Sequence, residues 1–248
     1  MPIEAWELRT IGPSEIVLVG STRAWAAQQA SHLSMSRTNR ERQSGLAFLP
    51  ETRSLPSLRR AIQGCKGCDL FRKGTQAVFG EGKVDSDVML LGEQPGDKED
   101  LAGKPFVGPA GRLLDLCLEE AGIDRNKAYV TNAVKHFKWE PRGKIRIHKK
   151  PNSQEIAACR PWFDAEVQTV EPKLIICLGA TAAQSLLGST FRVTQHRGEV
   201  FNKAHLPPIL VTIHPSSILR ARDEESRKRE RQEFVADLKG SAQYLKRV

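Results

Sequence analysis

A carboxylate, two imidazoles, an amide and an aromatic ring stand in this chain where chemistry can be done. Glu93 lies in Gly92-Glu-Gln-Pro-Gly96, a turn bracketed by glycines at the end of the short apolar run Asp87–Gly92. A carboxylate there is placed for a cleft, unless the turn is an ordinary charged loop. Asp97, Glu99 and Asp100 follow, an acidic segment in a basic chain. Acidic groups near a bound polyanion are costly unless they serve chemistry, which favours the functional reading. His214 opens His-Pro-Ser-Ser-Ile-Leu-Arg220 directly after the apolar run Ile209–Ile213. That sets an imidazole at a sheet edge, with the hydroxyls of Ser216 and Ser217 and the guanidinium of Arg220 suited to backbone phosphates. A capped turn without a ligand is the plain alternative. The Asn132 amide offers donor and acceptor together, which suits the edge of a pyrimidine. Phe106 sits in Gly103-Lys-Pro-Phe-Val-Gly-Pro-Ala-Gly111, kept irregular by its glycines and prolines. Its ring is free to stack on a planar base or to pack locally. That loop lacks the GK[ST] of a nucleotide-binding P-loop.

Lys135–Lys150 reads KHFKWEPRGKIRIHKK, with seven Lys or Arg against one acid and with Phe137 and Trp139 interleaved. The pattern fits a loop gripping phosphates and bases, and a solvated basic loop is the alternative. His148 lies within it. Of the five cysteines, Cys117 falls on the apolar side of a helix and reads as a small buried hydrophobe. Cys65 and Cys68 form a C-x2-C pair, and Cys159 and Cys177 stand singly further on. Four thiolates suit zinc or a [4Fe–4S] cluster. One tight pair plus two separated cysteines favours the iron–sulfur clip over a zinc ribbon, with unligated core cysteines the third reading.

The elements that must position these groups alternate. Short apolar runs at Asp87–Gly92, Ala128–Val134, Lys173–Gly179 and Ile209–Ile213 read as buried parallel strands. Helical spacing runs through Ser57–Gly64, Gly108–Gly122, Ser153–Val170 (with Ser153 as its cap), Ala180–Leu187 and the charged Glu224–Leu245. Strands alternating with helices predict an α/β fold, an open and mostly parallel four-stranded sheet flanked by helices. Ligands of such sheets bind beyond the carboxyl ends of the strands, where Glu93, Asn132 and His214 fall. Residues 1–53, polar and weakly patterned, read as a partly ordered N-terminal extension, and 54–248 as the main domain.

The net charge of +9, from 38 basic and 29 acidic residues, favours a polyanionic partner such as nucleic acid. No apolar run approaches the roughly 20 residues of a membrane helix, and the N-terminus lacks a signal-peptide pattern. A cytoplasmic protein without membrane contact is expected, its cysteines ligands rather than disulfides.

Taken together, GEQPG and HPSSILR resemble the first and second motifs of the uracil-DNA glycosylase superfamily, and the four cysteines resemble its iron–sulfur branch, family 4 and relatives. The resemblance covers about residues 56–245. The set GEQPGDKEDLAGKPFVGPAGRLLD, TNAVKHFK, GKIRIHKKP, ACRPW, LGATAA, FRVTQHRGEV and HPSSILR is similar to UdgX, the branch that forms a covalent adduct with uracil-containing DNA. Ordinary family 4 members read GEAPG and lack the basic insert. The branch's loop reads KRRIH. Here Lys144-Ile-Arg-Ile-His148 keeps the histidine and puts Ile145 in place of one arginine.

That resemblance implies a three-layer α/β/α fold and a [4Fe–4S] cluster on Cys65, Cys68, Cys159 and Cys177. It implies that Phe106 stacks on uracil, that Asn132 reads its polar edge and that His214 bonds its O2. Gly92, Gln94 and Asp97 would line the pocket, with Ser216 and Arg220 on the DNA backbone. His148 would attack the sugar C1′ and stay bonded, with Glu93 orienting it and accepting its proton, in a single turnover. The implied partner is uracil-containing DNA, single-stranded by preference, bound by a monomer. The alternative is an ordinary family 4 enzyme that releases uracil by water attack.

Overall fold

The computed structural model describes residues 7–10, 16–19 and 44–247. Two units cluster separately, residues 1–42 and residues 43–248. Within the first, β1 (Glu7–Thr10) pairs antiparallel with β2 (Ile16–Val19); the Ser/Gln/Arg-rich stretch beyond it lies outside the described residues.

The second unit starts earlier than the sequence boundary at residue 53. Ser44 caps a 3-10 turn over Gly45–Phe48, and Phe48 and Leu49 pack on the core. Arg53 donates to Gln168 Oε1 at 3.0 Å and its carbonyl accepts from Thr169 at 2.9 Å. The main unit then runs α1 (Leu55–Ala61), β3 (Val88–Gly92), α2 (Asp97–Ala102), α3 (Pro109–Glu120), β4 (Ala128–Asn132), β5 (Trp139–Arg142), β6 (Ile145–His148), α4 (Ser153–Val170), β7 (Leu174–Leu178), α5 (Ala180–Leu187), α6 (Val193–His196), β8 (Val200–Phe201), β9 (Ile209–Thr212), α7 (Pro215–Leu219) and α8 (Glu224–Leu245).

The main sheet has five strands in the order β4-β3-β7-β9-β8. Its four predicted strands are parallel neighbours, and β8 adds a two-residue antiparallel edge too short for a period to show. Every residue of β3, β4, β7 and β9 is buried, because helices cover both faces. Alternate side chains part to the two sides. Met89, Leu91, Ile175 and Cys177 meet α1, α4 and α5. Val88, Leu90, Ile176 and Leu178 meet α3, α7 and α8. The long charged C-terminal helix thus covers the sheet through Phe234, Val235 and Leu238. Helix α4 begins one residue later than its cap: Asn152, not Ser153, accepts from the Glu155 N–H, and Glu155 reaches back to the Asn152 N–H.

From β3 the chain crosses to β4 on one side, then returns past β3 to β7 on the other. The connections therefore diverge at the carboxyl ends of β3 and β7, where such folds open a crevice.

Under β4 lies a fully buried ion pair. Lys135 Nζ stands 2.5 Å from Glu166 Oε2, both side chains at 0% exposure. Glu166 also accepts from the Gly80 N–H, the Tyr129 hydroxyl and the Thr131 hydroxyl. Burial and the adjoining Glu166 raise the Tyr129 phenol well above its ordinary value. Breaking such a pair strands a charge, whereas replacing both partners with apolar groups removes the desolvation cost too. Glu166→Leu alone should lose about 3–5 kcal/mol of stability, and adding Lys135→Met should recover most of it. Urea denaturation of the two variants checks this; equal losses in both would show that the pair contributes through packing rather than charge.

Candidate active site

The crevice is a cleft of about 780 Å³ lined by Glu93, Phe106, Asn132, His148, Thr181 and His214 among others. Most of its groups come from strand ends. Gly92 and Asn132 are register partners at the ends of β3 and β4, and the chain continues from each. The Ala133 and Val134 N–H groups donate to the Gly92 and Glu93 carbonyls, so the two loops leave the sheet together. Gly92 does not line the cleft but makes room behind it: a Cβ there would meet Asn132 Oδ1 at 2.3 Å and Phe106 Cζ at 2.7 Å. Asn132 is 3% exposed. Phe106 takes a left-handed backbone, φ 55°, which turns its ring over His214 with centroids 5.9 Å apart and planes at 28°.

His214 sits at the N-cap of α7. Its Nδ1 accepts from the Ser216 N–H at 3.1 Å and lies 2.8 Å from the Ser216 hydroxyl. An Nδ1 that accepts leaves the ring's proton on Nε2, the cleft side. Burial, helped by the nearby Arg220 and His148, pushes this imidazole down to about 4. It is therefore a neutral donor at physiological pH. Ser216 orients that ring, and Arg220 lines the cleft without an acidic partner among the described residues.

His148 ends a β-hairpin, not a loop. Strands β5 and β6 pair antiparallel, with Trp139 opposite His148. Gln94 fastens this hairpin to the sheet: its Nε2 donates to the Lys138 and Lys149 carbonyls, and its Oε1 accepts from the Lys138 N–H. The same Nε2 lies 2.9 Å from His148 Nε2. Both N–H groups of that amide already have carbonyl partners, so the group that faces His148 Nε2 with a free acceptor is the Glu93 carboxylate. Glu93 Oε1 is 3.4 Å from that same Nε2, and Glu93 Oε2 accepts from the Thr181 hydroxyl. Burial lowers the His148 imidazole, and Arg220 adds to this, against the opposing pull of Glu93.

The basic stretch is less a phosphate grip than its composition implied. Lys135 is buried against Glu166, Lys138 pairs with Glu155 and Lys149 with Glu140. Arg146 reaches Asp97 at 2.5 Å and Asp100 at 2.6 Å, and its guanidinium lies 5.4 Å from the Phe137 ring and 5.6 Å from that of Trp139. Phe137 is buried and the Trp139 Nε1–H donates to the Lys73 carbonyl, and neither residue is among those lining the cleft. Asp97 consequently turns away from the cleft and anchors the hairpin. Asp100, at 0% exposure, also takes the Thr75 N–H and hydroxyl. Glu99 accepts from the Gly96 and Gly108 N–H groups and ties the carboxylate turn to the Phe106 loop. Asp97, Glu99 and Asp100 thus hold the hairpin and the two loops in place.

Comparison with known proteins follows this geometry. The sequence profile of the Uracil DNA glycosylase superfamily matches residues 79–239. The chain belongs to the uracil-DNA glycosylase superfamily. It is 36% identical over 168 residues to the type-4 uracil-DNA glycosylase of Thermotoga maritima, covering 67% of this chain and 84% of the relative. It is 31% identical over 193 residues to the type-4 enzyme of Archaeoglobus fulgidus, covering 75% and 90%. A type-5 uracil-DNA glycosylase of Pyrobaculum aerophilum is 26% identical over 155 residues, 55% of this chain and 64% of that one.

In this superfamily member the cysteines divide three and two. Cys65 raises Cys68, and Cys68 and Cys65 both raise Cys159, although burial is the larger cause in each. The Trp162 Nε1–H donates to Cys65 Sγ and the Lys135 N–H to Cys159 Sγ, both at 3.2 Å. Cys117 is buried in the core, as expected. Cys177, expected among the ligands, sits in mid-strand in β7, raised by burial alone with no thiol acting on it. As they stand, no three His, Cys, Asp or Glu side chains among the described residues converge on a metal position. One residue along the chain from the partner of Cys159 is a histidine that carries no motif of its own. His136 follows Lys135, whose N–H meets Cys159, and its Cβ lies 3.4 Å from where a Cβ on Gly74 would stand, in the loop after Cys68. Burial lowers this imidazole to about 4, leaving the neutral ring that metals bind. Its only sequence signal is its place beside a lysine.

Both cleft imidazoles should titrate low. NMR should find His214 near pH 4 and His148 below its ordinary 6.5. An imidazole depressed in the fold takes up protons in the unfolded chain first, so folding stability should fall as pH drops from about 6.5 toward 4 and hold above that window. A His214 titrating at or above 6.5 would contradict its burial and its Nε2–H assignment.

Proposed function

We propose that this protein excises uracil from DNA and then bonds to the resulting sugar through His148. What carries this reading is one arrangement: His148 Nε2, 3.4 Å from the Glu93 carboxylate, shares a cleft with the neutral donor His214. The type-4 relatives, named as uracil-DNA glycosylases, support the base excised.

Uracil must leave the helix stack before it can enter such a cleft, at a cost of a few kcal/mol from a duplex and least from a single strand. Single-stranded DNA is therefore the preferred substrate, bound by a monomer in the cytoplasm. Phe106 stacks on the ring, the buried Asn132 amide pairs with its polar edge, and Arg220 holds the backbone. As the N-glycosidic bond breaks, its electron pair goes to the base. The His214 Nε2–H donates to O2 of the departing uracil anion, an oxyanion-type stabilisation that needs no proton transfer. The sugar is left as an oxocarbenium-like cation. Glu93 offsets its charge and takes the proton of His148 Nε2, whose freed lone pair closes on C1′. The ring is left as a neutral N-alkylated imidazole, with its proton on the Glu93 carboxylate. A C–N bond to histidine lacks an easy hydrolytic exit, and turnover is single.

Cys65, Cys68 and Cys159, with His136 as fourth ligand, would hold a [4Fe–4S] cluster, which would clamp together the segments that carry them. The N–H donors on two of the sulfurs suit thiolate ligands, and the cationic core would stabilise thiolates that burial otherwise keeps protonated.

Two experiments test these readings. A single-stranded oligonucleotide with one uracil should give a slow band that survives boiling in detergent; His148→Ser should abolish the band and leave an alkali-labile strand. A band that persists in His148→Ser refutes the nucleophile, and wild-type strand breakage without a band would make this a turnover enzyme using water. For the cluster, Cys177→Ala should keep the broad visible absorbance that Cys159→Ala loses; loss in both restores Cys177 as a ligand.

A further inference from the structure

Thr181 lines the cleft, is 3% exposed and has no part in the chemistry above. Its hydroxyl donates to Glu93 Oε2, and that is its only side-chain bond among the described residues. Inside a helix a threonine hydroxyl ordinarily bonds back to the carbonyl four residues earlier, as Thr169 does to Ala165 at 2.8 Å. Thr181 is the second residue of α5, after the N-cap Gly179, and four residues back lies strand β7 rather than helix. The hydroxyl is thereby directed out of its own helix and across to the end of β3.

A carboxylate turns freely about its last torsion, so fixing one oxygen fixes the other. We propose that Thr181 is a positioning residue: by holding Oε2 it keeps Oε1 on His148 Nε2 and commits the sugar cation to histidine rather than to water. This rests on the roles given above to Glu93 and His148. With the hydroxyl gone, Glu93 is free to swing and accept a proton from water. The water oxygen then bonds to C1′, its proton goes to the carboxylate, and uracil still leaves with the glycosidic electron pair. The product is a free abasic sugar in place of an adduct.

The experiment compares Thr181→Val, which keeps the shape, with Thr181→Ser, which keeps the hydroxyl. Uracil-containing single strands are read on one denaturing gel for detergent-stable adduct and for alkali-labile strand, and thermal melting reports folding. The valine variant should form adduct about 10-fold more slowly, the scale of one lost charge-assisted hydrogen bond. Its alkali-labile product should rise at the adduct's expense, and serine should restore the wild-type ratio. A valine variant with an unchanged ratio of the two products overturns the proposal, even if both fall together, because a purely structural role lowers them alike. Thr181→Ala carries the same comparison if the valine variant fails to fold. A wild-type lane without adduct overturns the role of His148, and this proposal with it; an adduct with an unchanged ratio overturns this proposal alone.

Discussion

A two-stranded hairpin by itself is marginal in water, and the cleft residue His148 is carried on one. Its usefulness depends on the grip that fixes Trp139–Arg142 and Ile145–His148 to the sheet. The Gln94 amide supplies one half, bonding the backbone on both sides of the hairpin's open end at Lys138 and Lys149. Arg146 supplies the other, its guanidinium held by Asp97 and the buried Asp100 with the Phe137 and Trp139 rings close by. A bidentate charged grip on a planar group fixes orientation as well as distance. Gln94 lies in the turn after β3 that carries Glu93, and Asp97 and Asp100 in helix α2 directly after it. The carboxylate and the histidine it faces are thus positioned by one short stretch, residues 93–100.

The cleft's electrostatics follow from where it lies. Two imidazoles share it with Arg220, and burial is the main cause that keeps both low. Ser216 engages Nδ1 of His214 and leaves its other nitrogen to the cleft. Glu93 engages Nε2 of His148. One desolvated environment thereby keeps both rings uncharged, and the difference between them is set by which nitrogen each neighbour engages.

Much of this was legible in the sequence. The parallel strands read as unbroken apolar runs because both faces are covered, and α5 and α8 begin and end where their spacing says. The cleft's carboxylate, amide, aromatic and imidazoles fall at strand ends, and the fold's divergence between β3 and β7 brings them together. What composition could not show was pairing. Lys135, Lys138, Arg146 and Lys149 add to a basic stretch in sequence, yet each faces an acid brought in from elsewhere in the fold or across the hairpin. Phe137 and Trp139 read as base-stacking rings and are instead supports of the hairpin. Cys177 illustrates a related limit: spacing counts cysteines, but only the sheet register reveals that this one lies between Leu91 and Val211.

The buried Lys135–Glu166 pair completes the picture. Two charges taken fully out of water seldom add stability over apolar residues of similar size, so their placement calls for another account. Residues 132–136 run from Asn132 in the cleft, past Val134 bonded to the Glu93 carbonyl, to Lys135 and His136 beside Cys159. This short segment leaves the sheet without a strand partner of its own. The Lys135 side chain folds back under it to Glu166 and Thr131, and Glu166 in turn takes Tyr129 and Gly80. An apolar side chain would fill the same space but could slide; an ammonium with fixed acceptors has one place to sit. The pair therefore adds a directional side-chain tether to the backbone bonds that the segment makes at Ala133, Val134 and Lys135.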